Sequence, residues 1–244
     1  MKVSYIIPAH NSAAVIQNSL EEIAKRLTDL DGEIIVAENG SRDGTIEILA
    51  DVAASWPHTG PTLRVITTAR GLGHALREGI AATTGRTIVF TADDLPFGFD
   101  ELDAFERMGF PERTIVIGSK AHPESVVLRS LLRNTLTGGL RILRRVVLGM
   151  RTADPQGTYV MDGEWARTLQ PDLRESGFLI TTEIAFAADL AGIPVVEVPV
   201  RLRESGHRTR IRAGDVVNMF TGTLALRKRR RALERAVGTN GGQR

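Results

Sequence analysis

Short apolar runs rich in β-branched residues alternate with longer amphipathic stretches through the first half of this chain. The runs are predicted as strands at Val3–Ile7, Glu33–Ala37, Leu63–Thr67, Arg86–Thr91 and Thr114–Gly118. The stretches between them are predicted as helices at Ala13–Leu30, Thr45–Ser55, Leu72–Ala82 and Phe99–Met108. Strand–helix alternation at this spacing predicts right-handed crossovers and an α/β fold with a mostly parallel sheet flanked by helices.

The second half of the chain is less regular. Val126–Leu148 is predicted as one long helix or two, and Ile211–Val237 as a further helical region. Gly157–Met161 and Val195–Val200 are expected to be strands, with a helix at Thr182–Ala191 between them. A length of 244 residues suits one large α/β domain, with at most a small appendage.

Composition limits the partners and the compartment. The formal net charge is only +2, so the overall charge does not indicate a nucleic-acid-binding protein. Cysteine is absent, which excludes disulfides and thiolate metal sites and fits a reducing compartment. Neither a membrane-spanning helix nor a secretory signal is predicted. The unbroken basic run 227–231 indicates either a solvated helix end or contact with an anionic lipid surface.

The loops after the predicted strands are candidate sites, because ligands of parallel α/β sheets bind beyond the carboxyl ends of the strands. In the first loop, Pro8 is expected to end the strand and turn the chain, with Asn11 or Ser12 capping the next helix. In the second loop, the side chains of Glu38 and Asn39 are of the kind that bonds a base edge or a ribose hydroxyl. A simple turn and helix cap is the alternative for the first loop.

The third and fourth loops suggest phosphate and metal binding. Gly71 and Gly73 precede a helix, where backbone N–H groups can face an anion, although close helix–sheet packing would explain these glycines equally well. Asp93 and Asp94 follow an apolar strand, where burying carboxylates is costly unless something pairs with them. A divalent cation bridging a diphosphate would do so. The alternative is an acidic pair at a helix N-terminus.

Segments spread over residues 3–211 together match the motifs of one enzyme family. In the first half they are Pro8-Ala9-His10-Asn11, Glu38-Asn39-Gly40-Ser41-Arg42-Asp43-Gly44-Thr45, Gly71-Leu72-Gly73-His74-Ala75 and Ala92-Asp93. In the second half they are Gly118-Ser119-Lys120, Asp154-Pro155-Gln156-Gly157, Thr182-Glu183-Ile184 and Glu197-Val198-Pro199-Val200. Together they resemble the inverting nucleotide-sugar glycosyltransferases of family 2, which have the GT-A fold, and most closely the dolichol- and polyprenyl-phosphate mannose synthase branch.

The resemblance implies transfer of a sugar from a GDP- or UDP-sugar to an acceptor, with inversion. The donor-binding residues it implies are Pro8, Ala9, Asn11, Glu38, Asn39, Gly40, Gly71, Ala92 and Asp93. It implies a Mg²⁺ or Mn²⁺ ion held by Asp93 and Asp94, and a catalytic set of Asp93, Asp94 and Arg129. The sequence departs from the family at Ser12, at Glu38-Asn39 and at Thr91, where the family has Glu, Asp-Asp and the first Asp of Asp-Ala-Asp.

The favoured acceptor is a polyprenyl phosphate, whose oxygen is ionised at neutral pH and needs no strong general base. Cations must hold its phosphate, and the candidates are Lys120, Arg129, Arg201 and Arg210. One alternative is transfer to a hydroxyl of a glycan or metabolite, with Asp154 or Glu183 as the base. Another is a nucleotide-sugar-binding protein without turnover.

The same resemblance divides the chain. A GT-A domain is expected over residues 1–210, with 1–119 as the nucleotide-sugar half and 120–210 as the acceptor half. A basic helical segment at 211–237 and a disordered tail at 238–244 are expected to follow. The protein is expected in the cytoplasm, peripheral at the inner face of the cytoplasmic membrane, and active in cell-wall or glycan biosynthesis without a nucleic-acid partner.

Overall fold

This computed structural model describes residues 2–57, 59–126, 131–203 and 213–238 of the chain. These residues contain seven strands and eight α-helices. The strands are β1 (Lys2–Ala9), β2 (Asp31–Glu38), β3 (Thr62–Thr67), β4 (Thr87–Phe90), β5 (Ile115–Gly118), β6 (Tyr159–Asp162) and β7 (Val195–Val198). The helices are α1 (Ile16–Arg26), α2 (Thr45–Ala54), α3 (Leu72–Ala82), α4 (Asp100–Arg107), α5 (Leu131–Leu148), α6 (Gly163–Leu169), α7 (Ile180–Leu190) and α8 (Ala213–Gly238).

All seven strands form one sheet in the order β3-β2-β1-β4-β6-β5-β7. Every neighbouring pair is parallel except the two that involve β6, which runs antiparallel to β4 and β5. The expected α/β class with a mostly parallel sheet is therefore confirmed. Because β6 comes from the second half of the chain and lies between β4 and β5, both halves share a single sheet. The division into donor and acceptor halves stays a prediction.

The elements of the first half were predicted closely, and Leu72–Ala82 coincides with α3. The short helix α6 was missed, although Asp162 caps it by accepting a hydrogen bond from the Trp165 N–H at 2.8 Å. Of the long helix predicted at Val126–Leu148, the structure gives α5 from Leu131 onward, and residues 127–130 lie outside the described residues. Residues 239–244 of the predicted tail lie outside them too, while 238 ends α8.

Apolar residues on both faces of the sheet hold the fold together. Alternate residues of β1 point to opposite faces, as strand geometry requires. Tyr5 and Ile7 join a core with α1, α2 and α4, whereas Ile6 joins a second core with α3 and α7. A third cluster, which includes Phe186 and Leu226, connects α5, α7 and α8. The central strands are thus buried on both faces, which explains their nearly continuous hydrophobic sequences.

The expectation that Pro8 ends the first strand was wrong. Pro8 lies within β1 and is paired in register with Ala37 of β2. The carbonyl of Ile6 accepts from Thr91 N at 3.3 Å on the β4 side, so the backbone of Pro8, two residues on, faces the same side. Pairing between β1 and β4 already stops at Ile6 and Phe90. The missing N–H of Pro8 therefore costs the sheet no hydrogen bond.

Glu33 stabilises the amino-terminal ends of the strands β1 and β2. Its buried carboxylate accepts hydrogen bonds from Ser4 Oγ at 2.6 Å and from the backbone and hydroxyl of Thr84, and it pairs with Lys2 Nζ at 3.2 Å. Burial acts to raise the pKa of Glu33, but the hydrogen bonds from Ser4, Thr84 and Lys2 outweigh it and lower the pKa to about 2. The charged form is thus stabilised by folding.

We expect Glu33 to make the protein sensitive to acid. A carboxyl whose folded pKa is depressed contributes stability above its unfolded pKa and loses it as the pH falls through the folded value. The pKa of Glu33 is 4.5 in the unfolded chain and about 2 in the folded protein. The wild type should therefore lose about 2 kcal/mol of unfolding free energy from this group between pH 7 and pH 3. Urea unfolding at both pH values would measure the loss. An equal loss in Glu33→Gln would contradict this assignment.

Candidate active site

The loops after β1 and β2 are bonded directly to each other. Asn11 N donates to Ser41 Oγ at 3.0 Å, and Asn11 Oδ1 accepts from Arg42 N at 2.8 Å. Ser12 N donates to Thr45 Oγ1 at 2.8 Å, at the start of α2. The expected capping of α1 by Asn11 or Ser12 was wrong, because α1 begins only at residue 16 and has no side-chain cap. The side chain of Asn11 and the backbone N–H of Ser12 connect the two loops instead.

Glu38 and Asn39 line the end of β2. Both are buried, and Glu38 Oε1 accepts from the backbone N–H groups of Gly40 and Ser41 at 2.9 and 2.6 Å. Asn39 N donates to Ala9 O at 3.0 Å and so extends the pairing of β1 with β2. One carboxylate oxygen of Glu38 therefore stabilises the turn that follows β2. The donor-binding role predicted for Glu38 and Asn39 stays a prediction.

The loop after β4 is held against the loop after β1 by a hydrogen bond from Ser12 Oγ to Asp93 Oδ2. The chain turns here, with Leu95 N donating to Ala92 O at 3.2 Å and Leu95 at φ +44°. Asp93 and Asp94 are consequently not on an extended segment. Ser12, which replaces the family glutamate, thus brings Asp93 to the ends of β1 and β2, a role that its residue type alone did not reveal.

Thr91 does not take over the role of the aspartate that it replaces. It is 2% exposed, and its hydroxyl lies 3.2 Å from the hydroxyl of Thr158 at the start of β6. Its side chain is therefore buried against Thr158 and is not available to bind a metal ion. Among the described residues no cluster of three or more His, Asp or Glu side chains is arranged to hold a metal ion.

A divalent cation nevertheless fits beside Asp93 on the chemistry of the donor set. Mg²⁺ commonly takes one or two protein carboxylates and completes its shell with substrate phosphate oxygens and water. Asp93 already has one oxygen oriented by Ser12, and Asp94 is its neighbour on a half-buried turn. The arrangement suits an ion that binds together with a diphosphate, not a closed protein cage.

The Gly-rich loop before α3 is shaped by close packing. A Cβ atom at Gly71 would lie 2.4 Å from Ser176 O, and one at Gly73 would lie 2.0 Å from Glu175 O. Gly73 N donates to Ser176 O at 2.9 Å, and Gly71 has φ +129°. Close packing thus accounts for both glycines, but the partner is the backbone of residues 175–176 and not the sheet, as the packing alternative had supposed. Contact of this loop with a phosphate stays a prediction.

Glu183 holds the segment that packs on the Gly-rich loop. Its side chain is 0% exposed and accepts from Arg174 N at 3.0 Å and Glu175 N at 2.9 Å. Arg229 of α8 pairs with the same carboxylate at 2.7 Å. Because the carboxylate is buried and paired, Glu183 does not suit the role of general base that the hydroxyl-acceptor alternative gave it.

The predicted acceptor cations are only partly described. Lys120 Nζ donates to Gln156 O at 3.1 Å and lies 5.4 Å from the ring centre of Phe97, which is close to the Asp93 loop. Arg201 is exposed, and its backbone N donates to Asp100 Oδ2 at 3.3 Å. Arg129 and Arg210 lie outside the described residues. Lys120 therefore lies between the segment that contains Gln156 and the loop after β4 that contains Phe97, and its role at an acceptor phosphate stays a prediction.

Arg203 helps to hold the loop after β4 in place, a role that the sequence analysis did not predict. Its N donates to Pro96 O at 2.8 Å, and its guanidinium lies 5.9 Å from the Phe99 ring centre and bonds Glu22 at 2.6 Å. It therefore fastens the segment that follows Asp93 and Asp94. A single arginine after a predicted strand gives no local signal for this role.

Comparisons with known proteins identify the family of the chain. The family model described as Glycosyl transferase family 2 matches residues 4–161. The chain is 27% identical over 217 residues to a dolichyl-phosphate beta-glucosyltransferase of Dictyostelium discoideum, covering 83% of this chain and 66% of that protein. It is 29% identical to glycosyltransferase AglD of Haloferax volcanii, covering 84% of this chain and 34% of that protein. The chain thus spans about two thirds of the first relative and about one third of the second.

Solved structures share the fold. Glucosyl-3-phosphoglycerate synthase from Mycobacterium tuberculosis, in complex with Mn²⁺, UDP-glucose and phosphoglyceric acid, superposes with a TM-score of 0.65 at 20% identity. The match covers 94% of this chain and 79% of that one. The same synthase with Mg²⁺ and UDP gives a TM-score of 0.61 at 22% identity. At this level of identity the likeness establishes the GT-A architecture.

Proposed function

This chain belongs to glycosyl transferase family 2, and on that basis we propose that it transfers a hexose from a UDP-sugar to a polyprenyl phosphate with inversion. The observation that carries the proposal is the joining of three strand-end loops by direct hydrogen bonds. Asn11 ties the loop after β1 to the loop after β2, and Ser12 ties it to Asp93 after β4. A ligand bound there is held from several sides at once.

The donor lies across these loops in the proposed complex. Glu38 and Asn39 bind the uracil and ribose end, and Asp93, with Asp94 as its neighbour, faces the diphosphate. Asp93 would hold a Mg²⁺ or Mn²⁺ ion, which when bound would supply positive charge beside the departing nucleoside diphosphate. The Mn²⁺ and UDP-glucose complex of the structurally similar synthase supports a uridine donor. Ser12 keeps the Asp93 carboxylate oriented before the donor arrives.

The acceptor approaches from the opposite face of the sugar. A phosphate monoester is ionised at neutral pH, so its oxygen attacks without a general base. Lys120 and Arg201, with Arg129 and Arg210, hold the acceptor phosphate in this proposal. The buried ion pair of Glu183 supports it, because it removes one of the two carboxylates considered as a base for a hydroxyl acceptor. The names of the dolichyl-phosphate beta-glucosyltransferases support a lipid acceptor.

A labelled-sugar assay tests the reaction. Purified protein with Mn²⁺ is given UDP-glucose or GDP-mannose, each combined with polyprenyl phosphate, with 3-phosphoglycerate or with an oligosaccharide. We expect label to enter the organic phase only with polyprenyl phosphate and to be highest with UDP-glucose. Label that stays in water-soluble product would assign a hydroxyl or small-molecule acceptor. Binding of nucleotide without any transfer would favour the non-catalytic alternative.

A surface on α5 and α8 suits an anionic membrane. Phe220 and Leu224 on α8 are 48% and 38% exposed, and Ile142 and Val146 on α5 are 65% and 74% exposed. The basic run 227–231 continues α8 beyond Leu224. Apolar side chains beside cations are typical of helices that lie at a lipid interface. None of the helices in the described ranges is long and apolar enough to cross a bilayer.

We propose that this α5–α8 surface holds the protein at the membrane that contains its acceptor. Replacing Arg227, Lys228 and Arg231 with glutamine should weaken binding to vesicles rich in phosphatidylserine about a hundredfold, at roughly 1 kcal/mol per charge. Vesicle co-sedimentation measures the change. The matched control removes three exposed cations elsewhere, Lys25, Arg107 and Arg113, and should bind like the wild type. Equal losses in both variants would contradict this surface.

A further inference from the structure

A buried acid without a hydrogen-bond partner lies between the donor and acceptor sides of the candidate site. Glu101 is the second residue of α4, and its side chain is 0% exposed. Neither Oε1 nor Oε2 has a hydrogen-bond partner. Because the large majority of buried polar side chains are hydrogen-bonded, a fully buried carboxyl group without a partner requires an explanation. The proposed transfer reaction assigns this side chain no role.

The carboxyl group of Glu101 packs against the end of β5. A Cβ atom at Gly118 would lie 1.9 Å from Glu101 Oε1, so no larger residue fits beside this side chain. Gly118 leads directly into Ser119 and Lys120, and Gly118 N donates to Thr158 O at 3.0 Å. Glu101 therefore supports the segment that presents Lys120.

The loop after β4, which contains Asp93, also contacts this region through Thr158. The Thr158 hydroxyl lies 3.2 Å from the hydroxyl of Thr91, the residue that leads into Ala92 and Asp93. Thr158 also lies close enough to Glu101 to oppose its pKa shift, without meeting the geometry of a hydrogen bond. A single buried layer thus runs from Glu101 through Thr158 to Thr91, beneath both the Lys120 segment and the Asp93 loop.

The surroundings of Glu101 disfavour its charged form. Burial raises the pKa of Glu101 to about 8, and the neighbouring Asp100 and Asp103 act in the same direction, against its own backbone N–H and Thr158. On α1, Arg26 is already bound to Asp103 at 2.8 Å and to Glu106 at 2.6 Å. On β1, the facing group is the buried ring of Tyr5.

We propose that Glu101 is a positioning residue that, as the neutral acid, keeps the Asp93 loop and the Lys120 segment in register, and that its ionisation switches transfer off. A neutral carboxyl group can remain packed against Gly118. An unpaired carboxylate in the same place is strongly driven toward water and separates α4 from the end of β5. This inference rests on the proposed function, because it concerns the donor and acceptor sides of that reaction.

The pH profile of transfer distinguishes this role from a merely structural one. With saturating UDP-glucose, Mn²⁺ and polyprenyl phosphate, wild-type turnover should fall about tenfold between pH 7 and pH 9, since a pKa of about 8 leaves roughly a tenth of the acid protonated at pH 9. The variant Glu101→Gln keeps the shape and stays neutral. Its turnover should change less than about twofold over the same range. An alkaline loss of equal size in Glu101→Gln would overturn the proposal.

A second measurement does not depend on turnover or on the variant. Infrared difference spectra of the wild type should show one buried protonated carboxyl group at pH 7 that disappears with a midpoint of about 8. Because the folded pKa lies above the unfolded value of 4.5, the thermal unfolding midpoint should fall as the pH rises from 4.5 to about 8 and should level off above it. Absence of both changes would overturn the inference. A wild type that transfers no sugar at any pH, yet shows both changes, would contradict the proposed function and leave the ionisable support in place.

Discussion

Replacing Asp93 with asparagine should lower kcat roughly a hundredfold to a thousandfold, the loss typical when a preorganised charge at a reacting centre is removed. Asp93 is the carboxylate that Ser12 orients at the meeting point of the loops after β1, β2 and β4. Asparagine preserves the shape of the side chain but removes the charge that attracts a divalent cation. The thermal unfolding midpoint should therefore change little. Steady-state transfer with varied Mn²⁺ concentration measures the effect.

Asp94→Asn is the matched control for Asp93→Asn. It removes the same charge one residue away, where the structure gives no bond like that from Ser12. We expect less than a tenfold loss of kcat. Equal losses in the two variants would show that both carboxylates serve the metal, and full activity of Asp93→Asn would remove the proposed diphosphate site.

Replacing Glu183 with glutamine should lower the unfolding free energy by about 3–5 kcal/mol, because one member of a buried ion pair is lost. The carboxylate accepts two backbone N–H groups, from Arg174 and Glu175, and pairs with Arg229. In glutamine one carboxylate oxygen is replaced by an amide nitrogen, which donates hydrogen bonds and cannot accept them. At least one of the donors that now bond this oxygen would therefore lose its acceptor. Urea unfolding measures the loss, which should come with a raised KM for the sugar donor because residues 174–176 pack on Gly73.

The control for Glu183→Gln is Glu234→Gln, which breaks the exposed pair of Glu234 with Arg230 on α8. Surface pairs at this spacing contribute about 0.3–0.5 kcal/mol, so the stability should hardly change. If Glu183→Gln were as stable as the control and mainly lost kcat, Glu183 would instead act on the substrate. That result would revive the hydroxyl-acceptor alternative.

The sequence predicted the strands of the first half and the loops that follow them because local patterns determine both. Apolar β-branched runs bounded by Gly, Asp and Asn identify a buried parallel strand, and a parallel sheet brings the loops after its strands to one edge. The family motifs then indicated which of those loops matter. Thr91 was recognised as a departure in the same way, since residue identity alone revealed it.

Interactions between distant segments were not predictable from local patterns. Arg141, Arg144 and Arg145 are similar as a sequence, yet only Arg144 is buried, where it donates to Ala153 O at 3.1 Å. Glu101 lies in an acidic first turn that suggests an ordinary solvated helix start. Its burial depends on β5 and β6, and β6 is contributed by a segment far along the chain. Which face of α4 is buried therefore depends on how the helix packs against these strands, and the local sequence does not show it.

A crystal structure of the protein with UDP and Mn²⁺ tests the central claim most directly, namely that the ends of β1, β2 and β4 form one nucleotide-sugar cleft. We expect the uracil and ribose against Glu38 and Asn39, and the diphosphate with its ion beside Asp93. A nucleotide bound in the basic groove between α5 and α8 that Arg227 and Arg231 line, or none bound at saturating UDP, would contradict the claim.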